Sequence, residues 1–595
     1  MSITPKTLAR PNASNTPPQA QVTSPVVPAK VETPPAPKAS TPSGKAVYSA
    51  VKDQPKDGPR PGTSLKGGAT LSLQHMRFSA VETRRTGEAA KVAQAQPTAV
   101  GVKEIEDPSL PNAFLKVKKY ALSVNRPGVK EPQTVEVTAL RGPKEQDGCT
   151  MVATFLMDPR SGAPCAVFKM GDTRLAPTLR GEDYVGVGMA GGRWDHDGVS
   201  PEKIGVGEIA EELGGGIKAF FSISDTCVPT MPHEAMEVDA YYAAVIKLGD
   251  QKIAGDGGGM EVASLMRPGV MRMDEALYAM DNGLIREGAR ARVAYTRAVD
   301  AMGYIPQLGV YARDLPPALQ KKFSDLGVTK LTEARPFVAP LPDAQGMSLD
   351  TVGRGALKNL NPGNIHQIQR DASTEKTQTL LGGEATFIAT QTQHITTDGS
   401  APAGKSVPNQ LFSVNFDRAK SALFYNDPVK GPMVKMEWAE RPLLAAKGLA
   451  RKPGVTYPKE NSDLSRLDTA DLKVGITNDK GETLKPAEVK GRVKATVDAW
   501  AQEQGAKGVV ELGEPTYASP GQSQLKYHFY AASVDAAAAA KDTGYVPLAQ
   551  AIRMCRADGQ GDAATEALLL RLAAKEDFIP QLGMRASDAR KLLQG

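Results

Sequence analysis

The stretch Gly191–Gly214 reads GGRWDHDGVSPEKIGVGEIAEELG. Its first part is glycine-rich, and its second part carries the marks of a helix. Ser200 is a natural N-cap, because its hydroxyl can accept from a free backbone N–H of the first turn. Pro201 suits the first helical position, and Gly214 with Gly215 stops the run. On such a helix Glu208, Glu211 and Glu212 stand at i, i+3 and i+4, which puts three carboxylates on one face. Hard oxygen ligands grouped in this way suit Mg²⁺ or Mn²⁺. The competing reading is the acidic, solvated face of a surface helix.

Strand patterns lie on both sides of this segment. Met151–Met157 (MVATFLM) and Cys165–Met170 (CAVFKM) are apolar runs joined by the turn residues DPRSGAP, which predicts a hairpin. Phe220 onward and Val238–Ile246 predict further strands, and an amphipathic region from Asp274 to Met302 closes the unit. Residues 102–339 form this first domain. Polar and Pro/Gly-rich sequence over 340–383 reads as a linker. Strand-like runs return at Leu411–Phe416, Ala422–Tyr425 and Met433–Trp438, and a Pro-started helix follows over Pro486–Gln504. Residues 384–595 form the second domain.

The two domains repeat one another in order. GYIPQLG at Gly303–Gly309 recurs as DFIPQLG at Asp577–Gly583, and MDEALYAMDNG at Met273–Gly283 recurs as LAQAIRMCRADG at Leu548–Gly559. MPHEAMEVDAYYAA at Met231–Ala244 recurs as SPGQSQLKYHFYAA at Ser519–Ala532. Conserved order and near-constant spacing over three blocks mark an internal duplication.

The loop and helix GMAGGRWDHDGVSP–GEIAEELG resemble the Nudix box of the Nudix hydrolases, G-x5-E-x7-R-E-U-x-E-E-x-G. Glu208, Ile209, Glu211, Glu212 and Gly214 match its last part, and Gly192 fits its opening glycine if the DHDG turn holds one extra residue. Gly207 stands at the family's arginine and Val199 at its first glutamate, two positions that brace the loop and helix. YASPGQSQL at Tyr517–Leu525 is similar to a segment of the ADP-ribose pyrophosphatase branch, and DEALYAMDNGLI at Asp274–Ile285 looks like that branch's late helix. The likeness covers roughly Val135–Gly309 and, more weakly, Asn409–Gly583.

The resemblance implies two tandem α/β/α sandwich domains. It also implies metal-dependent hydrolysis of a pyrophosphate bond in a nucleoside diphosphate linked to another group. Glu208, Glu211 and Glu212 would hold Mg²⁺ (or Mn²⁺), with a backbone carbonyl near Gly191. Glu261, or else Glu237, would take the proton of the attacking water, and Arg174 and Arg193 would contact phosphate or sugar. Tyr241 and Tyr242 fit a strand core better than a base-stacking role. The second unit reads DAWAQEQG at Asp498–Gly505, with Ala499, Gln502 and Glu503 at the metal positions. One carboxylate is too few for such a site, so the second unit reads as a pseudo-enzyme that pairs with the first, or as part of a homo-oligomer. Two alternatives remain: a non-catalytic tandem that binds a nucleotide or a protein partner, and a structural assembly component.

Composition narrows the setting. A formal charge of +6 over 595 residues, with basic and acidic residues mixed, shows no stripe suited to nucleic acid. The four cysteines, Cys149, Cys165, Cys227 and Cys555, form no CxxC pair and read as buried thiols in a reducing compartment. No apolar run approaches a membrane span, and the start lacks a secretory core. These features point to a cytoplasmic protein, or to an effector exported by a non-Sec route. Residues 1–101 are rich in Pro, Ala, Ser and Thr and read as a disordered tail.

Overall fold

The structure is a computed structural model. It describes residues 97–107, 115–142, 147–158, 160–170, 175–180, 182, 187–194, 199–213, 215–224, 226–248, 267–285, 287–326, 367–380, 384–395, 407–449, 464–542, 544–556 and 560–594. Of the tail expected over residues 1–101, the part up to 96 lies outside the described residues, as do Arg174 and Glu261, while its last residues are in a strand that begins at Thr98. All described residues fall within one compact unit.

Each half begins with a three-stranded antiparallel meander. In the first half it is β1 (Thr98–Glu106), β2 (Lys116–Asn125) and β3 (Gln133–Arg141). A mixed sheet follows, built from β4 (Gly148–Met157), β5 (Pro164–Met170), β6 (Ala190–Arg193), β7 (Gly215–Ser222), β8 (Val238–Leu248) and β9 (Arg267–Arg272). Its order is β9-β5-β4-β8-β7, with β6 on β4, and β4 and β8 run parallel at its centre. Every residue of β4 is buried, as expected of a strand covered on both faces.

The second half repeats this plan. Its meander is β10 (Gln367–Leu380), β11 (Ala385–Ile395) and β12 (Val407–Val414). Its sheet strands are β13 (Phe416–Asp427), β14 (Gly431–Lys435), β15 (Ala470–Gly475), β16 (Gly508–Glu511), β17 (Lys526–Ser533) and β18 (Tyr545–Pro547). Their order is β18-β14-β13-β17-β16, with β15 on β13 and with β13 and β17 parallel. The two halves are thus two mixed α/β regions of matching topology. The segment 340–383 expected as a linker contains β10, a 14-residue strand. Its sequence QIQRDASTEKTQTL has few apolar residues because it is an edge strand with most described side chains exposed, so apolar periodicity could not reveal it.

Helices cover both faces of each sheet. On one face of the first sheet lies α2 (Pro201–Glu208), where Thr150 Oγ1 donates to Pro201 O at 3.0 Å. A Cβ on Gly205 would meet Phe220, Thr150 and Val152 at 3.0 Å each, so glycine lets α2 sit close to the sheet. The other face carries α4 (Gly288–Met302), whose Tyr295 packs on Phe155 with ring centroids 5.3 Å apart. The expected amphipathic run from Asp274 to Met302 is two helices, α3 (Met273–Asp281) and α4. All 15 residues of α4 are buried, because α8 (Ala563–Lys575), which follows α7 (Leu548–Arg556) in the second half, packs against its far side. An amphipathic reading assumes one solvated face, and this helix has none.

The halves also exchange contacts at their edges. The first meander packs Tyr120, Leu122 and Val124 on Leu443, Ala445 and Ala446 of α5 (Pro442–Leu449) in the second half. Reciprocally, Leu411 of β12 and Tyr517 pack on Leu175 and Ala176 of α1 (Leu175–Leu179) in the first. Leu115 N donates to Gln410 Oε1 at 2.6 Å, and Arg126 pairs with Glu440. No helix among the described residues is long and apolar enough to cross a membrane.

Candidate functional site

The acidic helix starts as its sequence reads: Ser200 Oγ accepts from Lys203 N, and Pro201 is the first residue. It is α-helical only to Glu208 and continues as a π turn over Ile209–Leu213. The wider i→i+5 winding departs from the 3.6-residue period on which the i, i+3, i+4 reading rests. The three carboxylates consequently occupy different surroundings. Glu208 and Glu211 are half-buried, while Glu212 is 3% exposed. Glu208 lies against β6 at Gly192, where a Cβ would fall 1.8 Å from its Oε1, so a side chain there would displace the Glu208 carboxylate. Glu212 Oε1 accepts from Lys169 Nζ at 2.6 Å, and Oε2 accepts from Gly191 N at 3.0 Å. Lys169, on β5, is as buried as its partner.

A second acid cluster sits on the opposite face of the sheet, toward α4. Ligand atoms of Cys149, Glu237 and Asp239 lie within 4.8 Å of one another, and all three residues are buried. Cys149 is the parallel-strand neighbour of Asp239, and Glu237 stands two residues before Asp239 along the chain. This group is geometrically able to chelate one divalent ion. Its carboxylates already hold protein cations. Arg290 of α4 donates to both oxygens of Asp239, at 2.7 and 2.5 Å, and lies 3.5 Å from Glu237. Arg193 donates to Glu237 at 3.0 Å. Ser519 of the second half accepts from Arg290 at 3.3 Å and donates to Glu237 at 3.5 Å. Burial pushes the Asp239 carboxyl up to about 6, with Arg290 opposing. Burial also pushes the Cys149 thiol far up, so it stays protonated at neutral pH.

This donor set does not suit Mg²⁺, which takes hard oxygens in open octahedral sites. A neutral thiol is a poor partner for it, and an incoming divalent ion would face Arg290 and Arg193. At about 4 Å and an effective dielectric near 20, two like unit charges repel by roughly 4 kcal/mol, and a doubly charged ion doubles that. The same opposition applies at Glu212, beside Lys169.

Of the residues expected in a site, Glu208 ends α2, Glu211 and Glu212 lie on the π turn, and Gly191 lies in β6 beside Glu212. Glu237 and Arg193 belong to the cluster across the sheet. Tyr241 and Tyr242 are buried in strand β8, as expected. In the second half α6 (Pro486–Glu503) runs straight for 18 residues, and Ala499, Gln502 and Glu503 are exposed. All four cysteines are buried and unpaired with one another. From sequence Cys149 reads only as a buried thiol, and Lys169, Asp239 and Arg290 do not stand out as site residues. The available signal was a charge inside an apolar strand, in CAVFKM and VDAYYAAVI, which must find a counter-ion when the strand is buried.

No known family model matches the chain, and no curated protein matches it.

Proposed function

We propose that the chain is a fused pair of Nudix-like units that binds a nucleoside diphosphate derivative without hydrolysing it. The observation that carries this reading is the Glu212–Lys169 ion pair at 2.6 Å, with both side chains 3% exposed. A buried ammonium already supplies the positive charge that a divalent ion would bring to the acidic helix. The matching topology of the halves and their reciprocal edge contacts support a built-in pseudo-dimer. The ligand class comes from the sequence resemblance.

A metal-dependent pyrophosphohydrolase is the second reading, favoured by the retention of Glu208, Glu211 and Glu212 together in the first half alone. Under it those three glutamates and the carbonyl of Gly191 would hold the ion, and Glu261 or Glu237 would accept the proton of water. Incubation of the full chain with ADP-ribose, NADH, diadenosine polyphosphates and nucleotide sugars, each with Mg²⁺ or Mn²⁺, separates the two. Saturable binding without AMP release is expected. Turnover that disappears in Glu211→Gln and Glu212→Gln, and survives Glu503→Gln, would establish the hydrolase instead.

A further inference from the structure

The two copies of the IPQLG segment meet at one small cavity between the halves. Its volume is about 30 Å³, and Pro306 and Gln307 of one copy line it together with Pro580 and Gln581 of the other. The pairing extends to the helices, where Leu277 of α3 and Ile552 of α7, which correspond in the repeat, both reach the wall. The charged residues of the lining are not paired in this way. They are Arg292 and Asp300 of α4 and Arg553 and Arg556 of α7.

Five polar atoms of these residues are buried without a hydrogen-bond partner. They are Arg292 Nε, Arg553 Nε, Arg556 Nη2, Gln307 Oε1 and Gln581 Oε1. Other bonds hold several of these side chains in position. Arg556 bonds Glu566 and Asp300, Gln581 Nε2 donates to Asp300 at 2.5 Å, and Arg553 Nη1 donates to Leu326 O at 3.0 Å. Buried polar atoms normally find partners, so three donors and two acceptors on one cavity call for a polar guest.

The charges around the cavity close except at one residue. Arg292 pairs with Asp281, and Arg556 pairs with Asp300 and with Glu566, which also holds Arg297. Arg553 meets no carboxylate among the described residues. Burial, with the charge of Arg556 adding to it, lowers Arg553 to about 10, so it remains a cation at neutral pH. Water alone would answer its N–H group but not its charge, whereas a monoanion answers both. Size sets the class of anion. A water-sized guest takes ~10–15 Å³, so the cavity admits about two and excludes a nucleotide. A halide can accept from the guanidinium groups while a water beside it donates to the glutamine carbonyls.

We propose that this cavity binds a monovalent anion of halide size, held by Arg553, Arg556 and Arg292 where the two IPQLG segments meet. The site is independent of the reading of the acidic helix. In the test, bromide replaces gluconate at constant ionic strength while thermal unfolding of the full chain is followed. The midpoint should rise and saturate, with chloride acting alike, because an ion bound to the folded state stabilises it. Arg553→Met should raise the bromide concentration for half the effect by roughly tenfold or more. Lys321→Met, which removes an exposed cation from the helix Pro317–Asp325, should leave the wild-type curve. Bromide soaked into wild-type crystals should scatter anomalously from the cavity, within hydrogen-bonding reach of Arg553 Nε, which decides the matter even if Arg553→Met does not fold. The proposal is overturned if the wild type shows no saturable rise, if a folded Arg553→Met protein responds as the wild type does, or if bromide binds only outside the cavity.

Discussion

The two halves share a strand order and a helix order but seat the buried lysines Lys169 and Lys420 on different faces of the sheet. In the first half, α2 widens into a π turn and sets Glu212 on Lys169, and Met151 occupies the β4 position opposite Tyr241. In the second half, α6 stays straight and turns Gln502 and Glu503 to solvent, while Lys420 occupies the matching position, opposite Phe529. Lys420 is fully buried and bonds Asp468 at 2.9 Å and Asp562 at 3.1 Å, with Asp471 at 3.0 Å. The difference teaches that ladders and apolar packing preserved the topology after duplication, while ionic groups moved wherever each could find a counter-ion. A buried charge is tolerated when paired and is costly when stranded.

The largest effect is expected where most charge would be stranded. Lys420→Met leaves Asp468, Asp471 and Asp562 with less positive charge and should cost about 3–5 kcal/mol in a urea melt. A loss under about 1 kcal/mol would show the second-half cluster to be wet or self-compensating. Lys169→Met strands one carboxylate and should sit near the low end, about 3 kcal/mol. Adding Glu212→Gln should recover much of that loss. If the double variant is no better than the single, the pair is not the coupling that distinguishes the first half.

Acid should separate the regions by sign. Burial raises Asp417 and Glu566, but Arg180 and Arg297 outweigh it and hold both carboxyls below the usual range. These are contacts between the halves. Their stabilisation is present above the ordinary carboxylate value near 4 and is lost as pH falls below it. Asp239 behaves oppositely. With its carboxyl raised to about 6, its contribution is complete below about 4 and is lost as pH rises through about 6. Stability measured from pH 3 to 8 should lose its acid limb in part with Asp417→Asn and its decline between about 4 and 6 with Asp239→Asn. The smallest effect belongs to Glu503→Gln, within about 0.5 kcal/mol, because its side chain is solvated.

Much of the secondary structure was legible because its causes are local. The hairpin joining β4 and β5, the Ser200 cap and the Pro486 start all rest on neighbouring residues. The repeat was legible because order and spacing survive in one dimension. The candidate site was legible only in part. Glu208, Glu211 and Glu212 could be named, but the π turn that divides them follows from packing against four strands of the sheet. The edge strand β10 has no apolar stripe to reveal it, and the pattern of α4 reads as half-solvated because its second cover comes from the other half.

By itself the sequence determined two copies of one α/β plan, an acidic helix in the first copy and its loss in the second. Periodicity, caps and turn residues act within a few positions, so a linear reading reaches them. Only the tertiary structure decided what each charge does. Lys169 meets Glu212 across 43 residues, Lys420 meets Asp562 across 142, and Arg297 meets Glu566 across 269. Coulomb energy depends on separation in space and on exclusion of water. Both are set only when the two sheets and their helices close on one another.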